Sequence, residues 1–80
     1  MRYVYLIRSV SDPGEHYVGM TSNLGERLRQ HNAGRSPHTS KHRPWKLVVA
    51  VHFADNAKAT RFERYLKSGS GRAFAKRHFW

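Results

Sequence analysis

The sequence predicts a small α/β (α+β) domain, a small mixed sheet with helices packed on it. Two aromatic and β-branched runs, Tyr3–Ile7 and Glu15–Gly19, flank the turn Ser11-Asp12-Pro13-Gly14. A third apolar run, Leu47–Val51, lies between two stretches of helical spacing. The implied order is strand, strand, helix, strand, helix, short helix. With 80 residues, the chain reads as one domain, 1–80, with one modest core.

Each element has its own warrant. In the first strand Tyr3, Tyr5 and Ile7 share one face, and Val4 and Leu6 share the other. Both faces are largely apolar, so this strand is expected to be central and covered on both sides. Proline fixes φ and glycine accepts positive φ, so the Pro13-Gly14 turn sends the chain back as an antiparallel hairpin with a loop of about six residues. Gly19 marks a close backbone approach or a bulge.

Asn23 with Glu26 resembles a capping box for a helix running to Asn32, with Gly34 as its stop. Leu24, Leu28 and His31 fall on one stripe, with Arg27 at its edge. A histidine and an arginine there fit either a site or a satisfied polar pair. Residues 35–43 form a loop whose Lys41 and Arg43 can neutralise phosphates without reading bases. Trp45–Phe53 holds the unbroken apolar run and is expected to be buried on both faces. Asp55 or Asn56 caps a helix over 57–68, with Ala59, Phe62 and Leu66 inward. Glu63 points nearly the same way. On spacing alone, an i,i+4 pair with Lys67 is its simpler explanation. Ser68-Gly69-Ser70-Gly71 is expected to break that helix before a short basic one over 72–78, with Phe74, Phe79 and Trp80 in the core.

Charge narrows the function. Fifteen Lys and Arg against five Asp and Glu give +10, which suits a polyanion such as nucleic acid. No apolar run approaches the ~20 residues of a membrane span. Absence of cysteine excludes disulfides and thiolate metal sites. A soluble, cytoplasmic monomer is the expectation, with nucleoid association compatible with the charge.

Tyr5, Tyr17, Arg27, His31 and Glu63 come from different elements and together suit phosphodiester hydrolysis. Arg27 offers a permanent planar donor set for phosphate. Glu63 could hold Mg²⁺, which keeps waters and takes phosphate oxygens. A tyrosine could accept the proton of water, but only if positive charge lowers its pKa from ~10. His31 is the easier proton carrier by intrinsic pKa.

Tyr3-Val4-Tyr5 and Tyr17-Val18-Gly19 resemble the two halves of the signature of the GIY-YIG nuclease superfamily. The segment Thr21–Asn32, with Arg27 and His31, is similar to that family's helix, and Glu63 occupies the place of its metal-binding glutamate. Tyr3 stands where the first signature has glycine, and Met20 where some members carry lysine. The resemblance implies a central three-stranded antiparallel sheet flanked by helices, and DNA cleavage dependent on Mg²⁺ or Mn²⁺. It implies Tyr5 as general base or water-orienting group with Tyr17 beside it, Arg27 on the phosphoryl charge, His31 in proton transfer and Glu63 on the metal. Branched or single-stranded DNA is the expected substrate, with RNA also open. The rival is a non-catalytic basic module that binds nucleic acid on the same scaffold.

Overall fold

A computed structural model describes all residues, Met1–Trp80. Three strands, β1 (Arg2–Ser9), β2 (His16–Thr21) and β3 (Trp45–Phe53), form an antiparallel sheet in the order β2-β1-β3. The helices are α1 (Leu24–Asn32), α2 (Asn56–Leu66) and α3 (Gly69–His78), with one 3₁₀ turn at Ser40–His42. The sheet is wholly antiparallel, as the family resemblance implies, and not the mixed sheet expected from the order of elements, because β1 takes the centre and both neighbours run against it.

The alternation in β1 builds two cores. Val4 and Leu6, both fully buried, meet Ala59, Leu66 and Ala75 of α2 and α3 on one face. Tyr5, Ile7 and Trp45 form the other core, with Tyr17, Leu24 and Leu28 packed against it under α1. The expected central strand is therefore found, with α1 on one side and α2–α3 on the other. Losing a buried leucine here, as in Leu6→Ala, would cost about 3 kcal/mol in transfer and cavity terms.

Three further expectations are corrected. β3 is not buried on both faces: it is an edge strand, and Leu47 is 39% exposed. A register shift between Leu6 and Ile7 lets Val49 pair with Leu6 and Leu47 with Ile7, leaving Val48 as an extra residue. Second, the break between the two helices is shorter and earlier than expected: α2 ends at Leu66, and Gly69-Ser70-Gly71 belongs to the first turn of α3. Ser68 caps that turn by accepting from the Gly71 N–H (3.2 Å), and Gly71 lies so close to the Tyr65 carbonyl that a Cβ has no room. Third, the capping box on α1 is half made. Asn23 Oδ1 accepts from Glu26 N (3.1 Å), but the Glu26 carboxylate pairs with Arg29.

α1 stops at Asn32, and Gly34 takes φ +79° just beyond it, the left-handed conformation that glycine adopts without strain. Asn32 ties the helix end to β3: its Oδ1 accepts from Trp45 N (2.6 Å) and its Nδ2 donates to Trp45 O (3.1 Å). The basic loop is held by Ser9 Oγ donating to His42 O (2.6 Å) and Ser11 Oγ donating to Arg43 O (3.1 Å).

Candidate active site

The site forms where α1 crosses the β1–β2 hairpin. Tyr5 pairs with Gly19 in the β1–β2 register, and its ring lies across Gly19 so closely that a Cβ there would collide with the phenol. The close approach expected at Gly19 is the approach of this ring. Tyr17 lies on the same face, its ring centroid 6.4 Å from that of Tyr5. His31 completes an aromatic trio, 5.7 Å from Tyr5 and 5.1 Å from Tyr17.

His31 is fully buried, so both ring nitrogens need partners. Nε2 lies 2.7 Å from the Tyr5 hydroxyl and Nδ1 lies 2.7 Å from Thr39 Oγ1. Burial, and after it the Arg27 charge, push the imidazole down to about 4, so it is neutral at pH 7. The proton directions follow. Tyr5 is 1% exposed, and Arg27, which can only donate, stands beside its hydroxyl. Tyr5 therefore accepts from Arg27 and donates to Nε2, and His31 Nδ1–H donates to Thr39. The opposite tautomer would leave the phenolic proton without an acceptor in a closed site.

Arg27 also donates from Nη1 to Gln30 Oε1 (2.9 Å), which holds the guanidinium over the tyrosines. Contact with the Tyr5 hydroxyl keeps the Arg27 pKa above its ordinary value. The converse effect loses. Burial raises the Tyr5 pKa, and the opposing hydrogen bond and charge of Arg27 do not cancel it. Of the two sources of positive charge that a tyrosine would need, Arg27 alone is not enough: Tyr5 is a protonated phenol at pH 7. His31, expected as the easier proton carrier by intrinsic pKa, is buried and accepts from the Tyr5 hydroxyl.

Glu63 arrives from the other layer. It sits on α2, which packs against β1 and β2 from the face opposite α1. Its negative charge still bears on Tyr5, adding to the upward shift. Its side chain is 18% exposed and its Oε2 is 2.7 Å from Lys67 Nζ, so the simple i,i+4 pair does form. Lys67 lines one cleft together with Tyr17. Lys41 is exposed on the 3₁₀ turn, while Arg43 folds back, its Nε donating to Ser40 O (2.9 Å).

No three His, Asp or Glu side chains group as a metal cage. A lone carboxylate suits Mg²⁺ or Mn²⁺, which draw other ligands from water and phosphate, and does not suit zinc. The residues present fit such a cation: Glu63, now paired with Lys67, is the carboxylate that could hold it.

Thr39, Gln30 and Asn32 escaped the sequence reading. Only one signal pointed to Thr39: a buried histidine must satisfy its second nitrogen, and a hydroxyl in the loop after α1 is within reach. Nothing in the spacing marked Gln30 or Asn32.

A buried tyrosine–histidine pair beside an arginine, on a basic α+β scaffold, brings together side chains of the kind that phosphate chemistry uses. The sequence model of the GIY-YIG catalytic domain matches residues 1–77, and the chain belongs to that family, one of nuclease domains. It is similar to the structure-specific endonuclease subunit SLX1 of Candida dubliniensis, 39% identical over 71 residues, which cover 80% of this chain and 25% of that protein. Its likeness to the SLX1 homolog of Drosophila melanogaster is 45% over 69 residues (75% and 23% of the two chains). With SLX1 of Homo sapiens the identity is 44% over 55 residues (62% and 20%). The chain thus spans about a quarter or less of the length of these relatives.

Proposed function

We propose that this chain is a divalent-metal-dependent endonuclease that hydrolyses DNA phosphodiester bonds, nicking or cutting branched substrates. The observation that carries the reading is the run of hydrogen bonds from Tyr5 through His31 to Thr39, with Arg27 beside the phenol. A structural polar pair needs one such bond. Here a phenol, an imidazole and a guanidinium meet on one face of the sheet, and the Glu63 charge bears on the phenol from the other layer.

Each side chain has a task. Arg27 binds a non-bridging phosphate oxygen and stabilises charge as it builds there. Tyr5 orients the attacking water and takes its proton while passing its own to His31 Nε2. Thr39 fixes the tautomer that leaves Nε2 free to receive it. Tyr17 walls the site beside Tyr5. Glu63 would hold Mg²⁺ or Mn²⁺, and such a cation would supply Lewis-acid charge for the water and the leaving oxygen. Lys41 and Arg43 contact the DNA backbone away from the cut.

The SLX1 relatives are named as structure-specific endonuclease subunits, which supports branched DNA as the substrate. The rival, a basic module that binds nucleic acid without cutting it, draws support from the closed Glu63–Lys67 pair. It leaves unexplained a mostly buried carboxylate whose charge reaches Tyr5. Incubating the protein with supercoiled, flapped and branched DNA, in Mg²⁺, Mn²⁺ or EDTA, separates the two. Cation-dependent strand breaks support the nuclease; bound but intact DNA under all conditions supports the rival.

A further inference from the structure

A cleft of about 720 Å³ lies beside the tyrosine–histidine pair, between edge strand β2 and the α2–α3 corner. Its floor includes Val18, Leu66 and Ala75. Three exposed cations, Lys67, Arg72 and Lys76, stand around it, and no acidic side chain lines it. At one end His16 stacks flat on Trp80, with centroids 4.0 Å apart and planes 10° from parallel. Arg8 lies 5.7 Å from the indole centroid, and its Nη2 donates to Trp80 O (2.9 Å). The buried Arg8 Nε has no partner.

This combination is selective. An apolar floor disfavours bare phosphate, and the three cations disfavour a purely apolar ligand. A volume of this order takes a nucleoside, not a duplex. Flat aromatic surface with a cationic border is what bases and phosphates of an unpaired strand use, each stacked base contributing about 1–3 kcal/mol. Inside a duplex a base keeps both faces stacked and cannot enter. The cleft is also continuous with the candidate site: Tyr17 lines both, and Lys67 at the border pairs with Glu63.

We propose that this cleft takes one unstacked base of an unpaired DNA nucleotide next to the phosphate held at Tyr5 and Glu63, while Arg72 and Lys76 hold adjoining phosphates. The proposal rests on the endonuclease reading and deepens it: the substrate needs a single-stranded segment beside the cut.

The test is binding by fluorescence anisotropy without divalent metal, on tailed duplexes in which each unpaired nucleotide in turn is abasic. One position should weaken wild-type binding about tenfold, with the others near unchanged. Trp80→Phe should retain that position dependence and Trp80→Ala should lose it. Lys76→Glu, at an exposed side chain with no hydrogen bond to lose, should weaken every tailed substrate. A flat wild-type scan overturns the proposal and leaves the cleft to a protein ligand. Because cleavage is not read, the two proposals fail separately. A position-dependent scan with no cutting in Mg²⁺ sinks the nuclease alone; cutting with a flat scan sinks the cleft alone.

Discussion

Tyr5 and His31 are 26 positions apart in the chain, yet the phenol and Nε2 lie 2.7 Å apart in a closed site. Neither carries charge at pH 7: burial raises the one and lowers the other. The pair is therefore a neutral proton-holding unit, and charge must come from outside it to start chemistry. Arg27 supplies part of that charge, and a cation at Glu63 would supply the rest.

Removing the phenol oxygen tests the unit directly. Tyr5→Phe keeps the ring against Gly19 but leaves His31 Nε2 without its donor. Stability should drop by about 1–2 kcal/mol, the cost of a buried unpaired polar group. Cleavage should fall by about 10²–10⁴, the range for loss of a proton-transfer group. Urea unfolding and single-turnover kinetics measure the two. A variant that unfolds like wild type would mean the bond carries no weight.

Acid should loosen the fold through His31. Its folded pKa of about 4 lies below the ordinary 6.5, so the folded state holds the neutral ring. Between these values the unfolded chain binds more protons. Stability is thus fully present above pH 6.5 and is lost as pH falls toward 4. Urea midpoints across that range should decline in wild type and decline less in His31→Gln, where the carboxylates still titrate and the imidazole is gone. Parallel curves would contradict the assignment.

Gly19→Ala should cost more than its size suggests. The added methyl meets the Tyr5 ring, which is buried between sheet and α1. Overpacking of this kind costs about 1–3 kcal/mol, and the displaced phenol should also lengthen its bond to His31. Thermal unfolding should show the loss, and the tyrosine signal in near-ultraviolet circular dichroism should change with it. An unchanged melting temperature would show that the ring has room to move.

Lys67 should compete with a bound cation. It is 53% exposed, so its pairing with Glu63 is screened and is worth at most about 1 kcal/mol. Lys67→Met should tighten Mn²⁺ binding about threefold, and Glu63→Gln should abolish it, both read by the electron paramagnetic resonance of free Mn²⁺. Unchanged binding in both variants would remove Glu63 as the ligand.

The sheet and the inward stripe of α1 were legible because each rests on a short-range rule. Alternation in Tyr3–Ile7 gave the two faces of β1, and the spacing of Leu24, Leu28 and His31 aimed the imidazole inward. What escaped depends on three-dimensional competition. Leu47–Val51 read as a doubly buried strand, but β1 took the centre of the sheet and left β3 at an edge. Ser68-Gly69-Ser70-Gly71 read as a break, but the Ser68 cap and the tight fit of Gly71 on Tyr65 O turned it into a helix start. The direction of the Tyr5 shift depends on burial outweighing one arginine, a balance that spacing does not express.

The central claim is that Arg27, Tyr5 and Glu63 act on one phosphate. Single-turnover cleavage of a flapped DNA in Mg²⁺ by wild type, Arg27→Ala and Glu63→Gln, with binding measured on the same samples, tests it most directly. The account predicts strand breaks by wild type and rates at least about 10²-fold lower in each variant, with DNA affinity changed only a few-fold. Equal rates in all three proteins, with binding intact, would contradict it.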